Sequence, residues 1–202
     1  PMLGHEEVQA QAAWPTKPIR IVVPYAVGGR TDVTARVYGE YLSKQVGQPV
    51  LVENKAGGNG VVGAVEVKRA APDGYTLQCT ISQALIGNRV LIKDLPYDPD
   101  KDFVMFSAVN GEGFPFVASR KCGATTLKEF IDYARKADKV SMGSYAVGSP
   151  PHMTAIELNK QYGLKIEPIQ YRGEAPMWAD LMNQTIDAAI GSYGAALPSL
   201  QG

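Results

Sequence analysis

Apolar residues fall along this chain in two alternating rhythms. Short, largely β-branched runs at Ile19–Pro24, Pro49–Glu53 and Tyr75–Thr80 read as buried strands. Between them, apolar positions recur every three or four residues. Ala35, Tyr38, Leu42 and Val46 make one helical stripe, and Val61, Val62, Ala64 and Val65 face inward on the next helix. Thr31-Asp32 starts the first helix, Gly47 ends it, and Pro72-Asp73-Gly74 turns the chain before the third strand. This β-α-β-α-β order predicts a parallel sheet with right-handed crossovers.

A third helix is expected from Ser82 onward, closed by Leu95-Pro96-Tyr97-Asp98-Pro99. Phe103–Val109 and Phe114–Ser119 are apolar runs split by Asn110-Gly111-Glu112-Gly113, which reads as a crossing between domains. The expected division is therefore a first α/β domain over 14–109 and a second over 110–202, preceded by a tag or signal remnant over 1–13. Downstream the alternation resumes. Thr126-x-x-Glu129 is a capping box ahead of Leu127, Phe130, Ile131 and Ala134. Val140–Gly143 is a strand, Ser149 the N-cap of a helix with Pro150 in its first position, and Ile166–Tyr171, a helix around Pro176–Asn183 and Ile186–Ile190 follow. No internal repeat is evident, although both halves share this strand-glycine-helix grammar.

Composition narrows the function. Twenty Lys plus Arg balance 20 Asp plus Glu, so the basic excess or stripe of a nucleic-acid binder is missing. Hydrophobic content of 45% fits a globular chain, and no apolar run approaches the roughly 20 residues of a membrane helix. Cys79 and Cys122 are too far apart for a metal knuckle or CxxC site and read as buried free thiols. Ala10-Gln11-Ala12 before Trp14-Pro15 has the A-x-A form of a secretory cleavage site, which points to export.

Small residues open a helix at five strand-to-helix junctions: Gly28-Gly29-Arg30-Thr31-Asp32, Gly57-Gly58-Asn59-Gly60, Thr80-Ile81-Ser82, Gly148-Ser149-Pro150 and Gly173-Glu174-Ala175. In an open α/β sheet such loops lie at the carboxyl ends of the strands, where ligands bind. Unpaired N–H groups and the positive helix ends there favour an anion. Gly58-x-Gly60-x-x-Gly63 formally matches a dinucleotide fingerprint, but it follows the second strand, and the next strand lacks the terminal acid that holds a ribose. No cofactor and no metal is expected. His152 reads as a packing or hydrogen-bonding residue and Asp32 as a helix cap, while Arg30 and Arg172 each stand at a glycine-bearing junction where bidentate carboxylate pairing is open to them.

The run Trp14-Pro15-Thr16-Lys17-Pro18-Ile19-Arg20-Ile21-Val22-Val23-Pro24-Tyr25, with Gly28-Gly29 and Asp32, resembles the opening of the tripartite tricarboxylate transporter substrate-binding proteins, the Bug family. Gly47-Gln48-Pro49-Val50, Ala71-Pro72-Asp73-Gly74-Tyr75, Leu95–Pro99 with Lys101-Asp102-Phe103, Gly148-Ser149-Pro150 with His152, and Tyr171-Arg172-Gly173 extend the resemblance in order. It implies an α/β, two-domain periplasmic-binding-protein (Venus-flytrap) fold, each domain a mostly parallel sheet flanked by helices, with the C-terminal return to the first domain missing. It also implies a monomer, periplasmic after signal removal, that delivers a small carboxylate to membrane permease subunits. The ligand residues it suggests are Tyr25, Gly29, Arg30, Thr31, Asp32 and Ser82 from the first domain, and Ser144, Gly148, Ser149, Pro150, Tyr171 and Arg172 from the second. Arg30 stands where family members often have a small residue, which suggests a second acidic group on the ligand. Two other functions are compatible with the chain: an α/β enzyme acting on a small carboxylate through Asp32 or His152, and an extracytoplasmic sensor subunit for a membrane kinase.

Overall fold

The computed structural model describes residues 14–109 and 113–200, so the expected remnant over 1–13 and most of the crossing glycine segment lie outside it. Strand β1 (Ile19–Val23) is central to a parallel three-stranded sheet of order β2-β1-β3, between β2 (Val50–Asn54) and β3 (Thr76–Gln78). Ile21 lies opposite both Val52 and Leu77. Being flanked on both edges and covered by helices, β1 is apolar on both faces, which is why its sequence does not alternate. Helices α1 (Arg30–Val46) and α2 (Val61–Lys68) make the two crossovers. A π-helical turn over Gln83–Gly87 then runs into the short α3 (Asn88–Leu91).

The second sheet has the order β4-β7-β5-β6, from β4 (Phe116–Ala118), β5 (Val140–Ser144), β6 (Ile166–Gln170) and β7 (Ala188–Ile190). Only β4 is antiparallel, pairing with β7. Pro168 sits within β6 and is tolerated because β6 is an edge strand. Helices α4 (Leu127–Lys136), α5 (Pro150–Tyr162) and α6 (Glu174–Met182) connect these strands, and α7 (Tyr193–Leu200) follows β7. Phe130 and Met142 are fully buried in one core cluster, Met177 and Trp178 almost so in another, and Ile21, Val23, Tyr25 and Ala35 form a smaller one in the first sheet. Ile81 packs against both of the latter two and links the halves.

Several expectations shift. Tyr38 is half exposed, and Asp32, Ala35 and Gly39 make the buried face of α1. A Cβ at Gly39 would sit 3.3 Å from Val50 Cγ1, so helix and strand meet too closely for the tyrosine to lie between them. Val62 is likewise half exposed, and Gly63 and Ala64 are the buried residues of α2. The strand expected over Tyr75–Thr80 shortens to Thr76–Gln78, and the Phe103–Val109 run forms no regular element. Val104, Met105 and Phe106 of that run are 88%, 74% and 75% exposed, so the segment is apolar without being core. Both cysteines are free, but half-buried rather than buried. The Thr126–Glu129 capping box is formed in full, and α7 lies beyond the last element that the sequence suggested.

Helix α2 approaches the end of β1 closely. A Cβ added at Gly63 would lie 2.7 Å from Pro24 Cβ and 3.0 Å from its Cα. The third glycine of the apparent fingerprint therefore serves helix–strand packing and has no need of a nucleotide. Gly63→Ala is expected to destabilise the protein by about 1–3 kcal/mol, as overpacking against backbone does. Urea denaturation checks this, and an unchanged midpoint would contradict the packing argument.

Candidate functional site

Two loops at the carboxyl ends of the central strands share four identical residues in the same backbone form. Tyr25-Ala26-Val27-Gly28 follows β1, and Tyr145-Ala146-Val147-Gly148 follows β5. The halves thus contain a sequence repeat after all, too short to stand out without the structure. Gly28 and Gly148 have φ of 82° and 78°, a left-handed conformation that residues with a Cβ adopt at a cost. Each glycine N–H is then taken up by the side chain four residues on. Gly28 N–H donates to Asp32 Oδ2 at 2.9 Å, and Gly148 N–H to His152 Nδ1 at 3.1 Å.

The first loop is braced further. Arg36 donates to both oxygens of Asp32 through Nε (3.2 Å) and Nη2 (2.9 Å), and to Asn54 Oδ1, while Asn54 Nδ2 donates to the Tyr25 carbonyl. Burial opposes charge on Asp32, but Arg36 and the Gly28 N–H outweigh it and hold its carboxyl below the ordinary range. In the second loop Ser144 Oγ donates to the Ala146 carbonyl and meets Ser149 Oγ at 3.1 Å. Asp32 therefore lies in the first turn of α1 and holds the preceding loop; the N-cap is Gly29. His152 is the hydrogen-bonding residue that was expected.

The loops clasp each other's halves reciprocally. Ala26 N–H donates to the Arg172 carbonyl at 2.9 Å, beyond β6, and Asn59 Nδ2, beyond β2, donates to the Val147 carbonyl at 3.2 Å. Asn59 is itself held by Asn88, which bonds Tyr97. Gly173 allows this fit, since a Cβ there would sit 3.0 Å from Ala26 N. The junctions after β1 and β6 face each other, as do those after β2 and β5.

Three helix ends at this cleft lack the side-chain cap that α4 has. Gly29, Ser149 and Gly173 cap α1, α5 and α6 without any side-chain hydrogen bond, whereas α4, away from the cleft, has its complete capping box. On α1 the N–H groups of Arg30, Thr31 and Asp32 precede the first intrahelical bond, from Val33 to Gly29. On α5 the corresponding positions are Pro150, Pro151 and His152, so only His152 has an N–H to offer. Tyr25 and Tyr145 are buried beside these ends. Burial pushes both phenols above their usual range, and for Tyr145 the Glu174 carboxylate adds to it, so both remain neutral donors.

The suggested residues separate into groups. Tyr25, Gly29, Arg30 and Thr31 lie at the junction after β1, with Gly29 against the start of α6, while Gly148 lies against Gln83 and Leu91, and Ser149 and Pro150 follow it at the head of α5. Ser144 is fully buried and bonded within its own loop. Tyr171 donates its hydroxyl to Asp180 at 2.7 Å, and Arg172 reaches the cleft by its carbonyl while its side chain is exposed. Ser82 is exposed; its neighbour Gln83 is buried, with Nε2 unbonded and packed against Gly148. Sequence reading also missed Arg36, Asn59 and Ser192. A helix-spaced Asp32–Arg36 pair was visible, and Asn59 stood within the Gly57–Gly60 junction, but nothing local marked Ser192 as a cleft residue.

Residues 34–202 match the family model described as tripartite tricarboxylate transporter family receptor. A solved periplasmic transporter is similar to this chain at 34% identity with a TM-score of 0.80, covering 94% of this chain and 64% of that one. A Rhodopseudomonas palustris protein solved with adipate has a TM-score of 0.88 at 29% identity, and MatC from the same organism, with bound malate, 0.80 at 27%. The present chain covers 64% of each of those two. It spans 56–58% of the first curated relatives it matches, both 33% identical. The architecture is that of the periplasmic binding proteins, as the resemblance implied.

Asp32 offers a test of the loop brace. Its folded carboxyl titrates below its unfolded value of about 3.9, so its contribution is present above that pH and is lost as the pH falls through the depressed folded value. Asp32→Asn is expected to lower stability at pH 7 by about 1–3 kcal/mol and to flatten the loss of stability below pH 4. Denaturant titrations at pH 7 and pH 3 check both; an acid limb as steep as in the parent protein would refute the brace.

Proposed function

Because the chain belongs to the tripartite tricarboxylate transporter receptor family, we propose that it captures a small carboxylate solute in the cleft between its two sheets. One observation carries this reading: three helix ends facing the cleft have no side-chain cap, while α4 outside it has two reciprocal capping bonds. Unsatisfied amides beside neutral buried tyrosines suit a carboxylate, which takes the hydrogen bonds that a capping side chain would otherwise supply. Gly29, Arg30 and Thr31 would supply first-half donors, the His152 N–H and the start of α6 those of the second half, and Gly148, Ser149 and Pro150 would shape the second-half wall. Tyr25 and Tyr145 would line the site, and Asp32, Ser144 and Tyr171 would hold its walls. The adipate and malate found in similar proteins are both carboxylates and support this chemistry.

The proposed setting is the periplasm, with delivery to the membrane permease subunits of a tripartite transporter by a monomeric protein. The family and the periplasmic relatives support that setting, and no helix of the described residues is long and apolar enough to cross a membrane. His152 and Asp32, the candidate bases of an enzyme reading, are both occupied in holding loop glycines.

A thermal-shift screen of mono-, di- and tricarboxylates tests the function. A cognate acid at a hundred times its Kd adds about 2.7 kcal/mol of stability and raises the melting temperature, with the acid recovered unchanged. Absence of a shift with every acid in the screen would refute carboxylate capture.

A further inference from the structure

We infer that Arg30 selects a dicarboxylate by pairing with the ligand's second carboxylate, a step that rests on the carboxylate-binding function proposed above. Among the described residues, Arg20, Arg36, Arg89 and Arg135 each lie within 4.0 Å of an Asp or Glu, and Arg30 does not. Other arginines share that freedom, but Arg30 alone among all of these lines the interdomain cavity of about 210 Å³, together with Ser192, Tyr193 and Gly194. Its guanidinium carbon stands 5.7 Å from the centroid of the Phe114 ring, which restricts where the plane of the fork can lie. A partly buried guanidinium with a cavity before it, and no carboxylate of the described residues within 4.0 Å, is set to receive an anion.

Glu174 is buried, and its oxygens accept from the Ser192 N–H at 3.2 Å and from Ser192 Oγ. Its charge is therefore drawn to the start of α7 and is not paired with Arg30. Arg30 also contributes a free main-chain N–H at the start of α1, so one residue serves two anionic groups. A carboxylate held at that N–H lies no farther from the guanidinium than the length of one arginine side chain. A ligand with acidic groups at both ends can engage both, and the discrimination then falls on a side chain that no main-chain contact can replace.

Isothermal titration with matched pairs reads the discrimination directly: succinate against butyrate, glutarate against pentanoate, and adipate against hexanoate. Each pair differs only in the second carboxylate. For at least one pair, the diacid is expected to bind the parent protein roughly 10- to 100-fold more tightly, the range of one charge-assisted pair. Arg30→Ala and the bulkier Arg30→Gln are both expected to bring that ratio close to one. Arg30→Lys, which keeps the charge but loses the fork, should fall between. If both variants retain the parental ratio, or if the parent binds each diacid and its monoacid equally, the selection role of Arg30 is overturned and carboxylate capture stands. If no acid of either series binds the parent protein, capture itself fails.

Discussion

The cleft depends on one local event performed twice: a buried parallel strand has to become a helix within six residues. Gly28 and Gly148 make that turn possible by entering left-handed backbone space, and Asp32 and His152 fix it by accepting the glycine N–H. With the N–H taken up from within the loop, the amides of the following helix turn are released toward the cleft. The two acceptors differ in chemistry, a charged carboxylate gripped by Arg36 in one half and an imidazole in the other. The shared geometry thus survives a change of residue at each of the five positions that follow the tetrapeptide.

Around these turns the protein forgoes ordinary stabilisation. A side-chain N-cap is worth about 1 kcal/mol, and α1, α5 and α6 all do without one. Local rules are commonly broken at functional sites and compensated elsewhere. Here compensation comes from the other half of the molecule: Ala26 to Arg172 and Asn59 to Val147 tie each loop to the opposite sheet, and Ile81 packs into both cores. The interface between halves is in this sense part of the folding of the loops themselves.

Much of this was legible in the residues. Alternating runs and stripes gave the parallel sheets, and the glycine-bearing junctions gave the cleft loops, because backbone requirements at such turns leave few residue choices. Helix faces were less legible. Tyr38 and Val62 have the right spacing to be buried, yet Gly39 and Gly63 bring backbone so close to the strands that only small residues fit. Spacing reports which residues share a face, and packing distance decides which of them stays inside. Gln83 and Ser192, and the bond that Asn59 makes from its junction, were illegible for a different reason: each acts across a long sequence separation, where no local pattern points. The repeated Tyr-Ala-Val-Gly was overlooked because four residues 120 apart have no statistical weight until they adopt the same shape.

The two prolines that open α5 have a consequence for the course of binding. They leave that helix end with a favourable dipole but a single amide to give, against three on α1. Under the proposed capture, a solute would find three amides at the head of α1 and one at the head of α5, where the dipole adds attraction with little demand on orientation. The junction after β1 would then set the pose, and the junction after β5 would accept variation in the arriving molecule without losing its hold.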